Sequence, residues 1–340
     1  MQSGAVKHRP QHLRNLPRAH WIELASDTPQ LELSDAVRAG LGKAAKTLPS
    51  QFFYDAEGSR LFEAICDLPE YYLTRAEAEI LDRVAPDLAQ RVPDVHTIIE
   101  LGSGSSVKTE TLLHAFEDRP GMCYAPIDVS QSALEQSIAR ISESHTELDL
   151  RPAIAEYEAG FAELRRLEQG PTLTLWLGSS IGNLEKPAAI EFLAAIQSDM
   201  RDSDRMLVGI DLRKDRGTLE AAYNDAQGVT ARFNLNLLSR INRELAANFD
   251  LSAFRHVVHY DETSGSVQSF VESQVAQTVA IDALDLEIAF EAGERIHTED
   301  SHKYSVEEID RLAANAGLRV EERYFDLERR FSLNLLAPIR

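Results

Sequence analysis

Glycine and acidic residues follow two apolar runs in the first half of the chain. The first run contains Glu100 and leads into Gly102 and Gly104, and the second leads into Asp128. Glycines directly after a strand let a ligand approach the backbone, and an acidic residue at the end of the next strand is suited to binding the hydroxyl groups of a ribose. The spacing therefore predicts a site for a ligand that contains a nucleoside.

The glycine spacing restricts the identity of this ligand. A dinucleotide fingerprint has a third glycine at the position of Val107, so a nicotinamide-dependent oxidoreductase is disfavoured. S-adenosylmethionine (SAM) has a ribose but no phosphate, and its carboxylate suits the backbone amides of the 103–107 turn. We therefore predict a SAM site. The structural alternatives are an ordinary strand-to-helix turn and an Asp128 that caps the helix starting near Ser130.

The elements that position these residues follow a strand–helix rhythm. Apolar runs predict five strands and the stretches between them predict helices, with strands at 96–103, 122–130, 151–160, 172–180 and 205–212 and helices at 106–118, 131–145 and 186–200. Near the C-terminus, a capping box formed by Ser305 and Glu308 opens a helix that ends at Gly317, and two strands follow. This order predicts an α/β fold with a Rossmann-like parallel sheet and an antiparallel last strand, the topology of SAM methyltransferases.

The segments outside this rhythm predict a second, smaller α+β part. Residues 213–302 contain two helical stretches and then strands at 254–260, 266–281 and 286–296. Upstream, we predict a helix within 30–47, an aromatic segment at 51–62 interrupted at Gly58, and a capping box at Thr74 and Glu77 that opens a helix toward residue 91. We expect four regions: a basic flexible tail at 1–20, an N-terminal segment at 21–75 that joins the substrate subdomain, a SAM-binding domain at 76–212 and 303–340, and an inserted substrate-recognition subdomain at 213–302.

Composition and charge exclude several classes of function. The 340 residues contain 35 Lys and Arg against 55 Asp and Glu, a net charge of −20. This balance disfavours binding to nucleic acid or to an anionic membrane surface. No apolar run approaches the roughly 18–20 residues of a membrane span. Cys66 and Cys123 lie in apolar contexts and indicate buried thiols in a reducing cytosol, so we expect a cytoplasmic monomer that acts on a small molecule.

Five separated segments resemble one known family. The chain is similar to the L-histidine Nα-methyltransferases, SAM-dependent enzymes that form trimethylhistidine (hercynine) on the route to ergothioneine. The matching segments are LPSQFFYDAEGSRLFEAICDLPEYYLTRAEAEIL (48–81), ELGSGSSVKT (100–109), LGSSIGNL (177–184), DLRKDRGTLEAAYNDAQGVTARFN (211–234) and HTEDSHKY (297–304). Together they span nearly the whole chain after the basic tail.

The resemblance implies roles for particular residues. Those that line the SAM site in the family correspond to Tyr54, Gly102, Lys108 and Asp128, with Gly104 in the same turn and Phe161 placed to stack on or wall off the adenine. The residues that bind substrate correspond to Asn183 and Tyr223 at the α-carboxylate, Gly178 beside the amine, and Tyr71, Glu299 and Ser301 at the imidazole ring.

Two positions depart from the family pattern. An Asp-Phe pair near the adenine is replaced by Gly160-Phe161, so the adenine amino group loses an acceptor unless Glu158 or a backbone carbonyl replaces it. A Met that often walls the imidazole pocket corresponds to Ser269. Both departures concern specificity rather than the methyl-transfer chemistry.

Each polar candidate also has an ordinary structural interpretation. Asn183 could be an ordinary turn residue, and the ring of Tyr223 could pack on an amphipathic helix. Glu299 could be a solvated residue of an acidic loop, and Ser301 could cap a helix or a turn. As ligands, Asn183 and Tyr223 can donate to a carboxylate, Glu299 can accept from an imidazolium, and Ser301 can either accept from or donate to the other ring nitrogen. His297 and His302 do not have zinc-motif spacing with Glu299, so we expect no metal.

These residue types suit methyl transfer with little acid–base machinery. An amine nucleophile only has to be neutral, and a model α-amine has a pKa near about 8, so positioning can supply most of the rate. The leading hypothesis is SAM-dependent Nα-trimethylation of free L-histidine to hercynine, with Tyr54, Asn183 and Tyr223 as positioning residues. The alternatives are N-methylation of another amino acid, such as tryptophan or a histidine derivative, and a non-catalytic SAM-binding protein.

Overall fold

The computed structural model describes residues 18–24, 31–104 and 107–339, with the backbone alone at Val107. Most of the predicted basic tail at 1–20 lies outside the described residues. Its last three residues are joined to the rest of the protein, because Arg18 pairs with Glu147 at 2.8 Å and the N–H of His20 donates to the carbonyl of Leu150 at 2.8 Å. The assignment of residues 18–20 to a flexible tail is therefore wrong.

Fifteen strands occur in the described part of the chain. In order they are β1 (Ile22–Glu23), β2 (Lys46–Thr47), β3 (Thr97–Leu101), β4 (Cys123–Asp128), β5 (Asp149–Leu150), β6 (Ala153–Ile154), β7 (Thr172–Trp176), β8 (Arg205–Asp211), β9 (Phe254–Asp261), β10 (Ser266–Ser273), β11 (Gln277–Ile281), β12 (Leu286–Phe290), β13 (Arg295–His302), β14 (Leu318–Phe325) and β15 (Phe331–Pro338).

Ten α-helices accompany these strands in the described residues. They are α1 (Leu33–Leu41), α2 (Ala56–Cys66), α3 (Leu73–Arg91), α4 (Val107–Phe116), α5 (Gln131–Ser144), α6 (Tyr157–Leu167), α7 (Lys186–Asp199), α8 (Arg216–Ala222), α9 (Val229–Leu245) and α10 (Val306–Asn315). None of these helices combines the length and the apolar character needed to cross a membrane.

The main sheet has nine strands in the order β1-β6-β4-β3-β7-β8-β15-β14, with β5 beside β4. In this order, neighbouring strands pair in parallel from β1 as far as β8, and β5 is parallel to β4. The strand β15 is antiparallel to both β8 and β14. The predicted parallel sheet with an antiparallel last strand is thus confirmed. The strand order reverses direction between β3 and β7, and ligands of such sheets bind at the carboxyl ends of the strands beside this switch point.

Helices cover both faces of the main sheet, which explains why its strands are nearly continuous apolar runs. On β3, Ile98 packs in the same cluster as Leu112 of α4, whereas Ile99 packs in a second cluster with Phe161 of α6. The first cluster is continuous with α2, α9 and the sheet formed by β9, β10 and β13. The two parts of the molecule therefore share apolar packing.

A second sheet has the order β2-β13-β10-β9, and β11 and β12 form a separate hairpin. In the second sheet β2 is parallel to β13, and the other neighbours are antiparallel. Because β2 belongs to the segment at 21–75, the N-terminal segment and the segment at 213–302 build this sheet together. This pairing supports the proposed substrate subdomain.

Several local predictions are corrected by the structure. The strand expected over 151–160 is only two residues long, and α6 follows it at Tyr157. The strands expected over 266–281 and 286–296 are each divided in two by turns. The turns occur at Gly293 (φ +85°) and at the bend of Gln274 and Val275, which apolar content alone does not indicate.

The N-terminal capping predictions are also corrected. The aromatic segment at 51–62 is not interrupted at Gly58, which lies in the first turn of α2, where its N–H donates to the capping carboxylate of Asp55 at 2.7 Å. No side chain caps α3, so the predicted capping box at Thr74 and Glu77 is wrong. The capping box at the start of α10 is present as predicted.

Candidate active site

The glycine turn after β3 lies beside the end of β4. Gly102 and Gly104 have φ values of +71° and +48°, and a Cβ added at Gly104 would meet no atom within 4 Å. The N–H of Gly104 donates to Asp128 Oδ2 at 3.4 Å, and the N–H of Ser130 donates to Oδ1 at 2.8 Å. A carboxylate has about four acceptor positions, so Asp128 retains capacity for a ribose. The turn and the acid fit a nucleoside ligand such as SAM.

Asp128 is not the cap of the helix that follows it. The N-cap is Ser130, whose hydroxyl accepts from the N–H of Ala133 at 3.3 Å. Burial raises the pKa of Asp128, although the backbone N–H groups that it accepts from lower it. The capping alternative considered for Asp128 therefore does not account for its position.

Glu100 lies beneath the turn rather than in it. Its carboxylate accepts from Thr109 Oγ1 at 2.7 Å and from the hydroxyl of Tyr124, and its side chain is buried. Burial raises the pKa of Glu100 to about 7, although these two hydroxyl donors lower it. Glu100 therefore joins β3, β4 and α4 below the ligand side of the turn.

Phe161 does not line the predicted adenine site. It has no exposed surface and packs in the core with Ile127 and Ile99. The cause is the unforeseen helix α6, which turns Gly160 toward β4, where an added Cβ would lie 2.7 Å from Ile127 Cγ2. Gly160 therefore allows the close packing of this helix on the sheet.

Tyr157, the first residue of α6, lies against the glycine turn. A Cβ added at Gly102 would lie 2.4 Å from the Tyr157 hydroxyl, so this phenol lies directly against the backbone of the turn. Burial raises the pKa of Tyr157, and Asp128 adds to the increase, which indicates that the two side chains are near each other. Tyr157 therefore replaces Phe161 as the α6 residue that we assign to the SAM site.

Glu77 links Lys108 to Gly178. The carboxylate of Glu77 accepts the N–H of Gly178 at 2.8 and 3.0 Å and pairs with the ammonium of Lys108. Burial acts to lower the pKa of Lys108, but Glu77 outweighs it and raises that pKa. Gly178, at φ +76°, lies two residues after the end of β7, next to the switch point. The structure thus brings together one residue assigned to SAM and one assigned beside the amine.

A buried polar cluster lies at the end of β8 and β13. The hydroxyls of Tyr223 and Ser301 are 2.8 Å apart, and Lys303 Nζ donates to them at 2.7 and 2.9 Å. Lys303 also pairs with Asp211 Oδ2 at 3.0 Å. Burial raises the pKa of Tyr223, although Lys303 lowers it. Tyr223 and Ser301, assigned to opposite ends of the substrate, are therefore direct neighbours.

Glu299 lies two residues before Ser301 on the same strand and therefore on the same face. Across the sheet its register partner is Ser269 of β10, whose side chain lowers the pKa of Glu299. Burial raises the pKa of Glu299 to about 7, although Lys303 lowers it. The residue that departs from the family pattern therefore contacts the acidic group assigned to the imidazole.

Aromatic rings surround this polar cluster. The Tyr71 ring lies 6.2 Å from the Tyr223 ring and 6.3 Å from the Phe62 ring, both in edge-to-face geometry. Tyr54 lies 5.6 Å from Phe62 and 5.7 Å from Phe233. Tyr71 is 9% exposed, whereas Tyr54 is 45% exposed. Tyr54 is thus at the surface and Tyr71 is inside.

Tyr72, the neighbour of Tyr71, is bonded within the protein. Its hydroxyl donates to the carboxylate of Asp211 at 2.8 Å and accepts from Lys214 Nζ at 2.5 Å. This supports the choice of Tyr71 rather than Tyr72 for the substrate.

Asn183 ends a single 3₁₀ turn at Ser180–Asn183 and is exposed. A Cβ added at Gly182 would lie 2.8 Å from the carbonyl oxygen of His302 and 3.5 Å from Ser301 Oγ. The turn therefore packs directly on β13. Gly182, the residue before Asn183, lies close to Ser301 of the polar cluster.

Four residues of the candidate site were not assigned to it from the sequence, namely Glu77, Tyr157, Asp211 and Lys303. The position of Asp211 at the carboxyl end of the fifth predicted strand was a usable signal, since ligands bind at that edge. Glu77 was misassigned because its spacing from Thr74 matches a capping box. Nothing in the local sequence distinguishes Lys303 from an exposed lysine.

One group of potential metal ligands occurs within the described residues. Ring nitrogens of His114 and His145 and a carboxylate oxygen of Glu117 lie within 4.8 Å of one another. His114 is in the last turn of α4, whereas the glycine turn precedes the first, so this group is separate from the candidate site. His297 instead contacts Asp300 at 3.0 Å.

The sheet order, the antiparallel last strand, and the glycine turn beside Asp128 at the switch point are together those of a SAM-dependent methyltransferase. The chain belongs to the family of histidine-specific, SAM-dependent methyltransferases, whose model matches residues 33–338.

Curated relatives agree with this family. The chain is 41% identical to the histidine N-alpha-methyltransferase of Mycolicibacterium smegmatis over 314 residues, which cover 92% of this chain and 97% of the relative. It is 39% identical to the protein of the same name from Mycobacterium tuberculosis, over 92% of this chain and 97% of the relative. It is also 33% identical to the ergothioneine biosynthesis protein 1 of Neurospora crassa, over 87% of this chain but 33% of that longer protein.

Proposed function

We propose that this protein transfers methyl groups from SAM to the α-amine of free L-histidine and forms hercynine. The observation that carries the proposal is the cluster in which Glu299, Ser301 and Tyr223 lie together beside the ring of Tyr71. Such a cluster offers acceptors and donors for a carboxylate and a polar ring, next to an aromatic wall. The names of the relatives support the same substrate.

The carboxylate end of histidine is assigned to Tyr223 and Asn183. Tyr223 can donate its hydroxyl and Asn183 its amide N–H groups. We assign Gly178 to the position beside the amine. Its N–H donates to Glu77 at 2.8 Å, and a Cβ added at Gly178 would lie 3.8 Å from Lys108 Nζ. The lack of a side chain at Gly178 leaves room for the amine and its added methyl groups.

The ring end is assigned to Glu299, Ser301 and Tyr71. An ionised carboxylate accepts an N–H from imidazole, and the bond is strongest if the ring is charged. The ring of Tyr71, 6.2 Å from that of Tyr223, supplies an aromatic wall. These contacts fix the position of the amine relative to the methyl donor.

We assign SAM to Gly102 and Gly104 for the backbone approach, Asp128 for the ribose and Tyr157 against the turn. Lys108, which pairs with Glu77, and Tyr54, which lies beside Phe62 and Phe233, complete the assignment. When bound, SAM supplies a methyl group on a cationic sulfur. The protein holds the neutral amine in line with that group, and alignment of this kind can supply most of the rate acceleration. The displacement contains no step that requires a metal, and we propose that none takes part.

The organisation around the site forms part of the proposal. We propose that residues 76–212 and 303–340 bind SAM, and that the segments at 21–75 and 213–302 recognise the substrate. The small-molecule substrate, the net charge of −20 and the free thiols of Cys66 and Cys123 support a cytoplasmic monomer without nucleic-acid or membrane partners.

The decisive experiment incubates the purified protein with SAM and L-histidine and follows the products by mass spectrometry. We expect additions of one, two and three methyl groups, all on the α-nitrogen. Unmodified histidine at saturating concentrations of both substrates would contradict the proposal, and calorimetric binding of SAM without turnover would favour a non-catalytic SAM-binding protein.

A second candidate substrate follows from Ser269. A small residue beside Glu299 leaves space for a ring other than imidazole, so tryptophan or a histidine derivative is the alternative. Competition assays with equal concentrations of histidine and tryptophan distinguish the two, and we expect histidine to be methylated first.

A further inference from the structure

Lys303 is a buried lysine immediately after β13. Its side chain has no exposed surface. Its ammonium group lies 2.7 Å from the Tyr223 hydroxyl, 2.9 Å from Ser301 Oγ and 3.0 Å from Asp211 Oδ2. A lysine ammonium has three N–H donors and no acceptor. All three donors are therefore used, and both hydroxyl oxygens are acceptors toward Lys303.

This arrangement limits where the two hydroxyl protons can point. The Tyr223 and Ser301 oxygens are 2.8 Å apart, so one hydroxyl donates to the other. The pair contains two protons, and neither can be donated to the ammonium. One proton therefore lies between the two oxygens, and only one remains to be donated outside the cluster.

Two arrangements satisfy this count. If Tyr223 donates to Ser301, the tyrosine has no proton left for a substrate carboxylate. If Ser301 donates to Tyr223, the tyrosine proton points outward, and Ser301 keeps one lone pair and no free proton. Only the second arrangement lets Tyr223 bind a carboxylate.

We propose that Lys303 is a positioning residue that directs the Tyr223 proton to the substrate carboxylate and makes Ser301 an acceptor for a ring N–H. This inference rests on the proposed function and decides the role that the sequence left open for Ser301. It also implies that Glu299 and Ser301 both face the ring as acceptors, so the site favours an imidazole with N–H at both nitrogens.

The surroundings of Lys303 keep it charged. Burial acts to lower the pKa of Lys303, but Tyr223 and Asp211 outweigh it and raise that pKa. Asp211 also accepts from Lys214 at 2.7 Å, and these two lysines hold its pKa below the ordinary value despite burial. The two lysines face two carboxylates, Asp211 and the nearby Glu299, whose pKa Lys303 also lowers.

The test replaces Lys303 with methionine, which has similar length and no donor. We expect the Lys303→Met variant to raise KM for histidine by about 10- to 100-fold, the range for lost hydrogen bonds to charged groups. The affinity for SAM is expected to stay within about twofold. L-histidinol has the amine and ring but no carboxylate, and the preference for histidine over histidinol is expected to shrink by a similar factor.

The matched control is Lys46→Met, the same change at an ion pair with Glu294 elsewhere in the second sheet. It should leave KM for histidine and the preference over histidinol unchanged.

A double-mutant cycle separates positioning from a merely structural role. If Lys303 acts through Tyr223, the Tyr223→Phe variant and the double variant should lose about the same preference for histidine, because the second change removes nothing further. Additive losses with an unaltered preference over histidinol would overturn the inference.

Loss of Lys303 leaves Asp211 with less compensation, so folding requires its own check. If Lys303→Met does not fold, Lys303→Met combined with Asp211→Asn removes both charges together and is expected to show the same loss of preference; unchanged preference would again overturn the inference. Wild-type turnover tests the proposed function by itself. Without turnover, calorimetric binding of histidine and histidinol supplies the same cycle, so the two failures are distinguishable.

Discussion

At the residue scale, Glu299 combines a raised pKa with a direct partner in the pocket. Burial brings its pKa to about 7, compared with 4.5 for an ordinary glutamate. The carboxylate therefore ionises within the physiological range. Its ability to accept an N–H and to balance a charged ring then depends on pH in a range where most carboxylates do not titrate.

We predict that kcat/KM for histidine decreases as the pH falls below about 7, because protonation removes the charge of Glu299. In Glu299→Gln this part of the profile should flatten, and the preference for histidine over tryptophan should fall by about 10-fold or more. The imidazole of the substrate titrates at about pH 6.5. Wild type and variant are therefore compared with the same substrate, so that this titration contributes equally to both profiles. Glu287→Gln, at an exposed position of the β12 strand, is the control. If Glu299→Gln leaves both the pH profile of kcat/KM and the preference for histidine over tryptophan unchanged, Glu299 does not bind the imidazole ring.

The sequence was informative about residues that follow strands and less so about residues held by distant partners. Gly102, Gly104 and Asp128 were found because spacing after a strand determines their position. Lys303 was not found, because its burial results from contacts with Asp211 and Tyr223, which are 92 and 80 residues away.

At the element scale, Glu77 anchors α3 to the main sheet. It is completely buried and supplies an acceptor to Gly178 and a counter-charge to Lys108. The helix that begins next to Tyr71 and Tyr72 is therefore fixed relative to the switch point. A residue that resembles a helix cap in the sequence instead determines where two site residues lie.

We predict that Glu77→Ala lowers the free energy of unfolding by about 2 kcal/mol or more, since a buried N–H and a lysine lose their partner. It should also weaken SAM binding through Lys108. Chemical denaturation and calorimetry measure the two effects. Glu57→Ala, which removes an exposed pair with Arg60 on α2, is the control and should lower the free energy of unfolding far less. Equal losses in the two variants would contradict this role.

Close packing of α6 on β4 yields a separate prediction. Gly160→Ala is expected to destabilise the protein by about 1–3 kcal/mol, because its Cβ would lie 2.7 Å from Ile127 Cγ2. Gly170→Ala, where a Cβ meets no atom within 4 Å, should cause no loss. Thermal unfolding of both variants provides the measurement, and an equally stable Gly160→Ala would show that α6 can move outward.

The element order was largely predictable, because apolar runs and helix caps are local signals. The short third strand with α6 and the divided strands of the second sheet were not. An apolar run does not reveal where a turn interrupts it, and a two-residue strand lacks enough alternation to be recognised.

At the scale of the whole molecule, the two sheets are linked by one apolar cluster. It extends from Ile98 and Leu112 beside the main sheet to Phe233 of α9 and Val267 of the second sheet. We predict a single unfolding transition, because neither part can lose its packing alone. Calorimetry and circular dichroism should give coincident midpoints that rise together when SAM is added. Two separate transitions would show that the parts fold independently.

The position of β15 affects how the protein is made. This strand lies between β8 and β14 but follows both of them in the chain, so its synthesis completes the interior of the main sheet. Until it emerges from the ribosome, β8 has an open edge and β14 has no partner strand, and open edges invite pairing with other chains. A product lacking residues 331–338 is therefore expected to be insoluble or degraded rather than a slower enzyme.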